Sequence, residues 1–246
     1  MTSAKPAAPA QAPAHTCLKL APVTMPGRML GLLPGDLLLR LDGQPLQGPA
    51  SKLIRQTNAQ SDKVHLLSFS RGGKEWSVLS PTMTLGRWKA VELSGPVTAS
   101  HAAADRMRNW NVVVNDDGRY DAHPRTPPLL ALLTPLYLLQ MRLWAALAVW
   151  GTLTLLGLQV GWILGSALQI LICLYVWRAA PTLFLVDRKT QGFQLWRVIA
   201  ATSETDLHRQ VAQLDPDLRF VFSKDSPSKA GPEIGTKGEA EDTPAI

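Results

Sequence analysis

Catalysis needs nucleophiles, acids, bases or metal ligands at fixed spacing, and this 246-residue sequence supplies few. Its five histidines, at positions 15, 65, 101, 123 and 208, fall in different segments, and its two cysteines, Cys17 and Cys173, lie far apart along the chain. There is no His-Glu-x-x-His string to hold zinc beside a general base and no Gly-x-Ser-x-Gly turn to present a serine. Phosphate-cradling Gly-x-x-x-x-Gly-Lys-Ser/Thr and Gly-x-Gly-x-x-Gly loops are missing too, as is any Cys-x-x-Cys pair. The sequence therefore predicts no catalytic residue, no metal and no cofactor, and a protein that is not an enzyme. What it offers is recognition chemistry. Ala50, Leu53, Ile54 and Thr57 share one face of a predicted helix by 3-4 spacing. Gly157, Gly161 and Gly165 recur every four residues in an apolar run, where they can form a flat helix-packing face or make a turn.

The elements that carry these residues follow from composition. From Leu143 to Trp177 the chain has 35 consecutive residues without Asp, Glu, Lys, Arg or His. As one helix they would measure roughly 52 Å at 1.5 Å per residue, against about 30 Å for a bilayer core. The run must fold back, which predicts a transmembrane helical hairpin over 129–180. One arrangement rises from Leu136 to Leu156, turns at Gly157–Gly161 and returns from Trp162 to Arg178; the other starts near Leu129 and turns at Trp150–Thr152. The first leaves Arg142 close to the interface, where a long side chain snorkels at modest cost. Trp144, Trp177 and Arg178 complete the expected membrane-interface set, the tryptophans as part of an aromatic belt. Arg119, Arg125 and Arg142 precede the spans and Arg178, Arg188 and Lys189 follow them, while the connecting turn has no basic residue. The positive-inside rule then places both termini in the cytoplasm. Ahead of the spans no signal-peptide core occurs. The expected location is a bacterial inner (plasma) membrane, crossed more than once.

Residues 1–128 carry 15 basic and 9 acidic side chains and residues 179–246 carry 8 and 10, within a net charge of +6. The excess is spread out, without a Lys/Arg cluster or interleaved stacking aromatics, so it suits anionic lipid headgroups and not a nucleic-acid groove. The Ala/Pro-rich head (1–16) and the polar tail (223–246) are too poor in apolar residues to fold. Between 97 and 128 a linker is expected, with a short helix within Thr98–Asn109, a strand Trp110–Asn115 and a stiff approach Asp121–Pro128. Residues 181–222 suggest a small ββαβ element: strands Thr182–Val186 and Gln194–Ile199, a helix capped at Ser203, and a last strand Leu218–Phe222.

Residues 17–96 have the sharpest punctuation. Gly31-Leu-Leu-Pro-Gly-Asp36 leads into an apolar strand, Leu37–Leu41, closed by the Asp42-Gly43 turn; the helix bearing Ala50 follows, then strands Val64–Ser70 and Glu75–Leu79 joined by Arg71-Gly-Gly-Lys74. Over about 18–86 this order resembles a bacterial-type PDZ domain. The resemblance implies a small, partly open β-barrel or sandwich that binds peptides by strand addition between a strand and the helix. Ala50, Leu53, Ile54 and Thr57 would be the groove-facing residues, although Leu53 and Ile54 also suit a core. The sequence departs from the pattern upstream, since residues 1–16 contain no glycine and so no Gly-apolar-Gly-apolar carboxylate loop. The groove then lacks its own strand unless it borrows one, for which Trp110–Asn115 is the candidate.

The expectation is thus an α+β membrane protein that acts as a binding scaffold or adaptor. Its partners would be membrane lipids and another membrane protein or a peptide segment of one, with self-association left open. The alternative is an accessory subunit or assembly factor of a larger inner-membrane complex, packing through the glycine face.

Overall fold

Two antiparallel-based sheets and a group of apolar helices make up the computed structural model, which describes residues 15–46, 50–59, 63–93, 97–100, 104–159 and 161–223. The first sheet is built from β1 (His15–Val23), β2 (Leu37–Leu41), β3 (Gln44–Pro45), β4 (His65–Arg71), β5 (Lys74–Ser80) and β6 (Gly86–Leu93), with the helices α1 (Met25–Met29) and α2 (Ala50–Ala59) between strands. Its order is β5-β4-β2-β1-β6, and β3 pairs with β2. The turns that make this order are local. Asp42 and Gly43 both have positive φ (50° and 79°), as do Gly72 and Gly73 (59° and 80°), the backbone that tight two-residue hairpins require. Two of the turn aspartates also act at a distance. Asp36 is buried, accepts from Leu33 N and takes both oxygens to Arg71 (Nε 2.6 Å, Nη2 2.7 Å). Asp42 accepts from Leu66 N and contacts His65 Nδ1, both at 2.8 Å, which pins the β2–β3 turn to β4.

The second sheet has the order β10-β8-β7-β9, from β7 (Arg108–Val114), β8 (Arg119–Pro124), β9 (Gln194–Ala201) and β10 (Arg219–Phe220). The strand expected at Trp110–Asn115 is therefore not lent to the first sheet: both its edges are taken, by β8 and β9. The stiff approach expected from Asp121 is largely strand β8, and among the described residues of the helix expected within Thr98–Asn109 only Ala104–Arg106 is helical, as a 3-10 turn. His15 and Thr16, expected in a disordered head, pair with Leu93 and Glu92. Positions 1–14 and 224–246, the remainder of the expected disordered ends, lie outside the described residues.

One core joins the sheets. Leu18, Leu20, Leu38, Phe69 and Trp76 of the first pack with Val112, Val198 and Ile199 of the second and with Leu207 and Val211 of α6 (Glu204–Leu214). α6 is capped by Ser203, whose Oγ accepts from Asp206 N, while Asp206 accepts from the N–H of Thr202, one residue before the cap. Across the seam, Asn109 bonds both N and O of Leu79, and Val198 N donates to Leu30 O. Gly31 has φ +72°, and a Cβ there would lie 2.8 Å from Arg197 Cα, so the sheets meet backbone to backbone at this glycine.

Between β8 and β9 the chain forms a 3-10 turn (Leu129–Leu132), α3 (Thr134–Gln140), α4 (Trp144–Gln159) and α5 (Trp162–Thr190). Among the described residues α5 is the one helix long and apolar enough to cross a membrane; α4 is apolar but shorter. The strand expected at Thr182–Val186 is helix, because α5 runs on through Pro181. Tertiary contacts override the β-forming composition of Thr182–Val186: Val176, Ala180, Phe184 and Arg188, spaced by four, form a buried stripe.

Candidate functional site: an open strand edge and an apolar helix pair

β6 is the open edge of the first sheet. Among the described residues it pairs with β1 alone, over seven register positions from His15–Leu93 to Val23–Gly86, while β5 at the opposite edge abuts the second sheet. The start of β6 is fixed by Gly86, whose missing side chain lets the backbone pass against Pro22 O. Trp88 anchors the strand inward, donating from Nε1 to Met83 O at 2.9 Å and stacking on Phe69. Arg87, Lys89, Ala90, Val91 and Glu92 are exposed.

α2 lies beside this strand and is tied to the loop before it, since Asn58 Oδ1 accepts from Met83 N and Thr82 Oγ1. Of the expected groove residues, Ala50 opens α2, and Leu53 and Ile54 are half-buried against the core. Thr57 is buried and donates its hydroxyl to Leu53 O at 2.9 Å, so it does not line a groove: the side chain is spent on its own helix. Leu53 also borders an open cavity of about 350 Å³ with Leu41, Gln44, Pro45 and Leu46. The strand that ends the sheet beside α2 is β6, from downstream. Its pairing with β1 is long-range and leaves no local signal.

The glycines divide their work. Gly161 caps α5 with φ +103° and has open space around it, so it makes the turn. Gly157 and Gly165 face each other across that turn: a Cβ on Gly165 would lie 2.6 Å from Gly157 O. They pack α4 on α5 within the chain and do not form a flat face on one helix. Thr154 Oγ1 to Gln169 Oε1 at 3.0 Å adds a polar contact to the same pair. Outward, the pair presents Leu155, Leu158, Trp162, Ile163 and Leu164 to the surroundings.

Of the interface set, Arg142 sits at the break between α3 and α4 with φ +55° and its guanidinium 5.2 Å over the Phe222 ring. Trp144 and Arg178 are exposed. Trp177 instead packs into the cluster formed by Ala131, Tyr137, Leu138 and Val176, because the 3-10 turn and α3 fold back over α5.

A junction not anticipated from sequence ties the helices to the second sheet. Arg188 Nε donates to Asp121 Oδ2 at 2.7 Å, with both side chains 5% exposed or less. Beside them His123, 1% exposed, stacks on Phe184 at 4.9 Å. Its Nδ1 donates to Pro124 O, which leaves Nε2 to accept from the Tyr137 hydroxyl at 2.8 Å. Burial lowers the His123 pKa to about 4, opposed by the Pro124 carbonyl and aided by the charge of Arg108. The unfolded chain takes up this proton near pH 6.5 and the folded one only near 4, so stability is complete above pH 6.5 and is lost as pH falls towards 4. The loss between pH 6.5 and 5 is expected to be about 2 kcal/mol, at about 1.4 kcal/mol per unit. Unfolding midpoints at the two pH values check this, and the difference should flatten in His123→Gln; an equal slope in that variant would remove His123 as the cause. The sequence signal for the junction was the spacing of Val176, Ala180, Phe184 and Arg188.

No known protein family matches the chain, and comparison with curated proteins finds no match.

Proposed function

We propose that this chain is a membrane-anchored protein-binding adaptor. Its first sheet and α2 act as a PDZ-like module, held at the cytoplasmic face of a bacterial inner membrane by α4 and α5 as a two-helix hairpin. The open β6 edge beside α2 carries the binding half of this reading, because an edge strand offers a row of unpaired backbone donors and acceptors to an extended segment. The anchoring half is supported by the large apolar side chains that α4 and α5 turn outward, which water would penalise. At 16 residues α4 measures about 24 Å, a shortfall that a bilayer accommodates by local thinning. Leu143 and Val176 share one cluster, so the hairpin begins and ends on the same side. The exposed Arg142 and Arg178 lie at that end, as expected for the cytoplasmic side.

Confinement to the bilayer raises the effective concentration of the module towards partners in the same membrane, so a weak strand addition suffices. The work proposed is binding without catalysis, and the partner class is another membrane protein or a segment of one. In the accessory-subunit reading the glycines would serve another chain, whereas Gly157 and Gly165 pack on each other.

Peptides selected for binding to the full-length protein in nanodiscs test the proposal by hydrogen exchange. Protection is expected over Gly86–Leu93 and in α2. Protection confined to α4 and α5 would overturn the reading in favour of association through the helices.

A further inference from the structure

The outer face of the β1–β6 pair carries charge that no described residue neutralises in an ion pair. In that register Lys19 stands directly opposite Lys89, and Arg87 lies two residues along β6, hence on the same face. All three are exposed. Among the described residues none of them forms an ion pair, whereas Arg40, Lys63 and Arg71 of the same region pair with Glu75, Asp42 and Asp36. Like charges directly opposite each other weaken an antiparallel pair. Charge on an edge strand does deter indiscriminate pairing, which would account for Lys89 alone. It does not account for Lys19, which lies on the interior strand β1.

We infer that the β6 edge takes an acidic, extended protein segment, with carboxylates two residues apart that face Arg87 and Lys89. This specifies the partner of the strand-addition reading above and rests on it. Side chains of an added strand alternate between faces, so two acidic residues separated by one would meet both cations. Strands lie about 4.8 Å apart, which puts Lys19 about 10 Å from the added strand, beyond the Debye length of about 8 Å at physiological salt, so Lys19 acts on the segment through its neighbour Lys89. The intervening residue turns to the face where Trp88 packs against the core. Carboxylates here relieve the Lys19–Lys89 repulsion on binding, so the cost present in the free protein becomes selectivity.

The test uses the full-length protein in phosphatidylcholine nanodiscs at physiological salt. The probes are a labelled 12-residue peptide alternating Glu with Thr and its counterpart alternating Lys with Thr. The acidic peptide is expected to bind at least tenfold tighter, and Lys89→Glu to weaken it about tenfold. That variant also exchanges a like-charge cross-strand pair for an opposite-charge one, so its unfolding midpoint is expected to hold or rise while binding falls, which separates the effect from misfolding. Lys74→Glu, on the β4–β5 turn, should leave binding within twofold. Acidic-peptide binding unchanged by Lys89→Glu overturns the inference, and so does that result accompanied by weaker contact with phosphatidylglycerol bilayers, which would assign the face to headgroups. If both peptides bind equally and protect β6 amides from exchange, strand addition stands and the acidic preference fails. If neither protects β6, both fail.

Discussion

Replacing Asp121 by alanine is expected to cost about 3–5 kcal/mol of folding stability and to loosen the C-terminal turns of α5 from the second sheet. The magnitude follows from burial: Arg188 is 4% exposed and Asp121 2%. Arg188 spends Nε on Asp121, and its other nitrogens reach Asp187, Gln191 and the carbonyl of Met141. Without Asp121 the guanidinium keeps its desolvation and loses its better-buried counter-charge. Asp187 remains at 3.0 Å, but its carboxylate is more exposed, 19% against 3%. The pair as a whole need not be worth as much as its breakage costs, because taking both charges out of water offsets most of their attraction. The double substitution Asp121→Leu/Arg188→Met should therefore recover part of the loss. Unfolding of the full-length protein in mild detergent, with limited proteolysis between Arg178 and Gln194, measures both effects. A penalty under 1 kcal/mol for Asp121→Ala would show that the junction does not hold α5.

Gly165→Leu is the second large effect, expected at about 3 kcal/mol, the upper end for overpacking. The atom in the way is the backbone oxygen of Gly157, 2.6 Å from where Cβ must go, and a carbonyl inside a helix cannot swing aside as a side chain can. α4 and α5 must separate, which also parts Thr154 from Gln169. Cys173, half-buried on α5, reports the separation: its alkylation by a maleimide should accelerate with the unfolding. Gly161→Ala acts differently, straining a positive φ without a clash, and is expected to cost less. Equal stability of Gly165→Leu and the parent would mean that the two helices do not touch at these glycines.

The parts of the fold readable from sequence are those whose cause is local. Asp42-Gly43 and Gly72-Gly73 make hairpins because of what their own backbones tolerate, and Ser203 caps α6 three residues from its partner. The apolar run is interrupted at Gly161, whose positive φ precedes α5 and lies in one of the two places the sequence offered for a turn. What was hidden depends on distant contacts. Nothing near Gly86 says that β6 will lie along β1, or near Trp110 that its strand will pair with β9 more than eighty residues later. Arg188 looked like one of several positive charges flanking a membrane span, and only the fold makes it a buried partner of Asp121. Thr57 matched the helix face expected of a groove, yet a hydroxyl turned back on its own helix serves packing.

The second sheet draws β7 and β8 from before the helices and β9 and β10 from after them. During synthesis, Arg108–Val114 must wait with one side unsatisfied until Gln194–Ala201 has left the ribosome. The first sheet waits with it, since Leu38 and Phe69 share their core with Val198 and Leu207. Closing so long a loop is slow compared with forming local hairpins, and the nascent chain must protect its half-made core throughout. Completion of the shared core thus comes only after the whole segment between β8 and β9 has been made, so the first sheet depends for its finished form on strands that follow that segment.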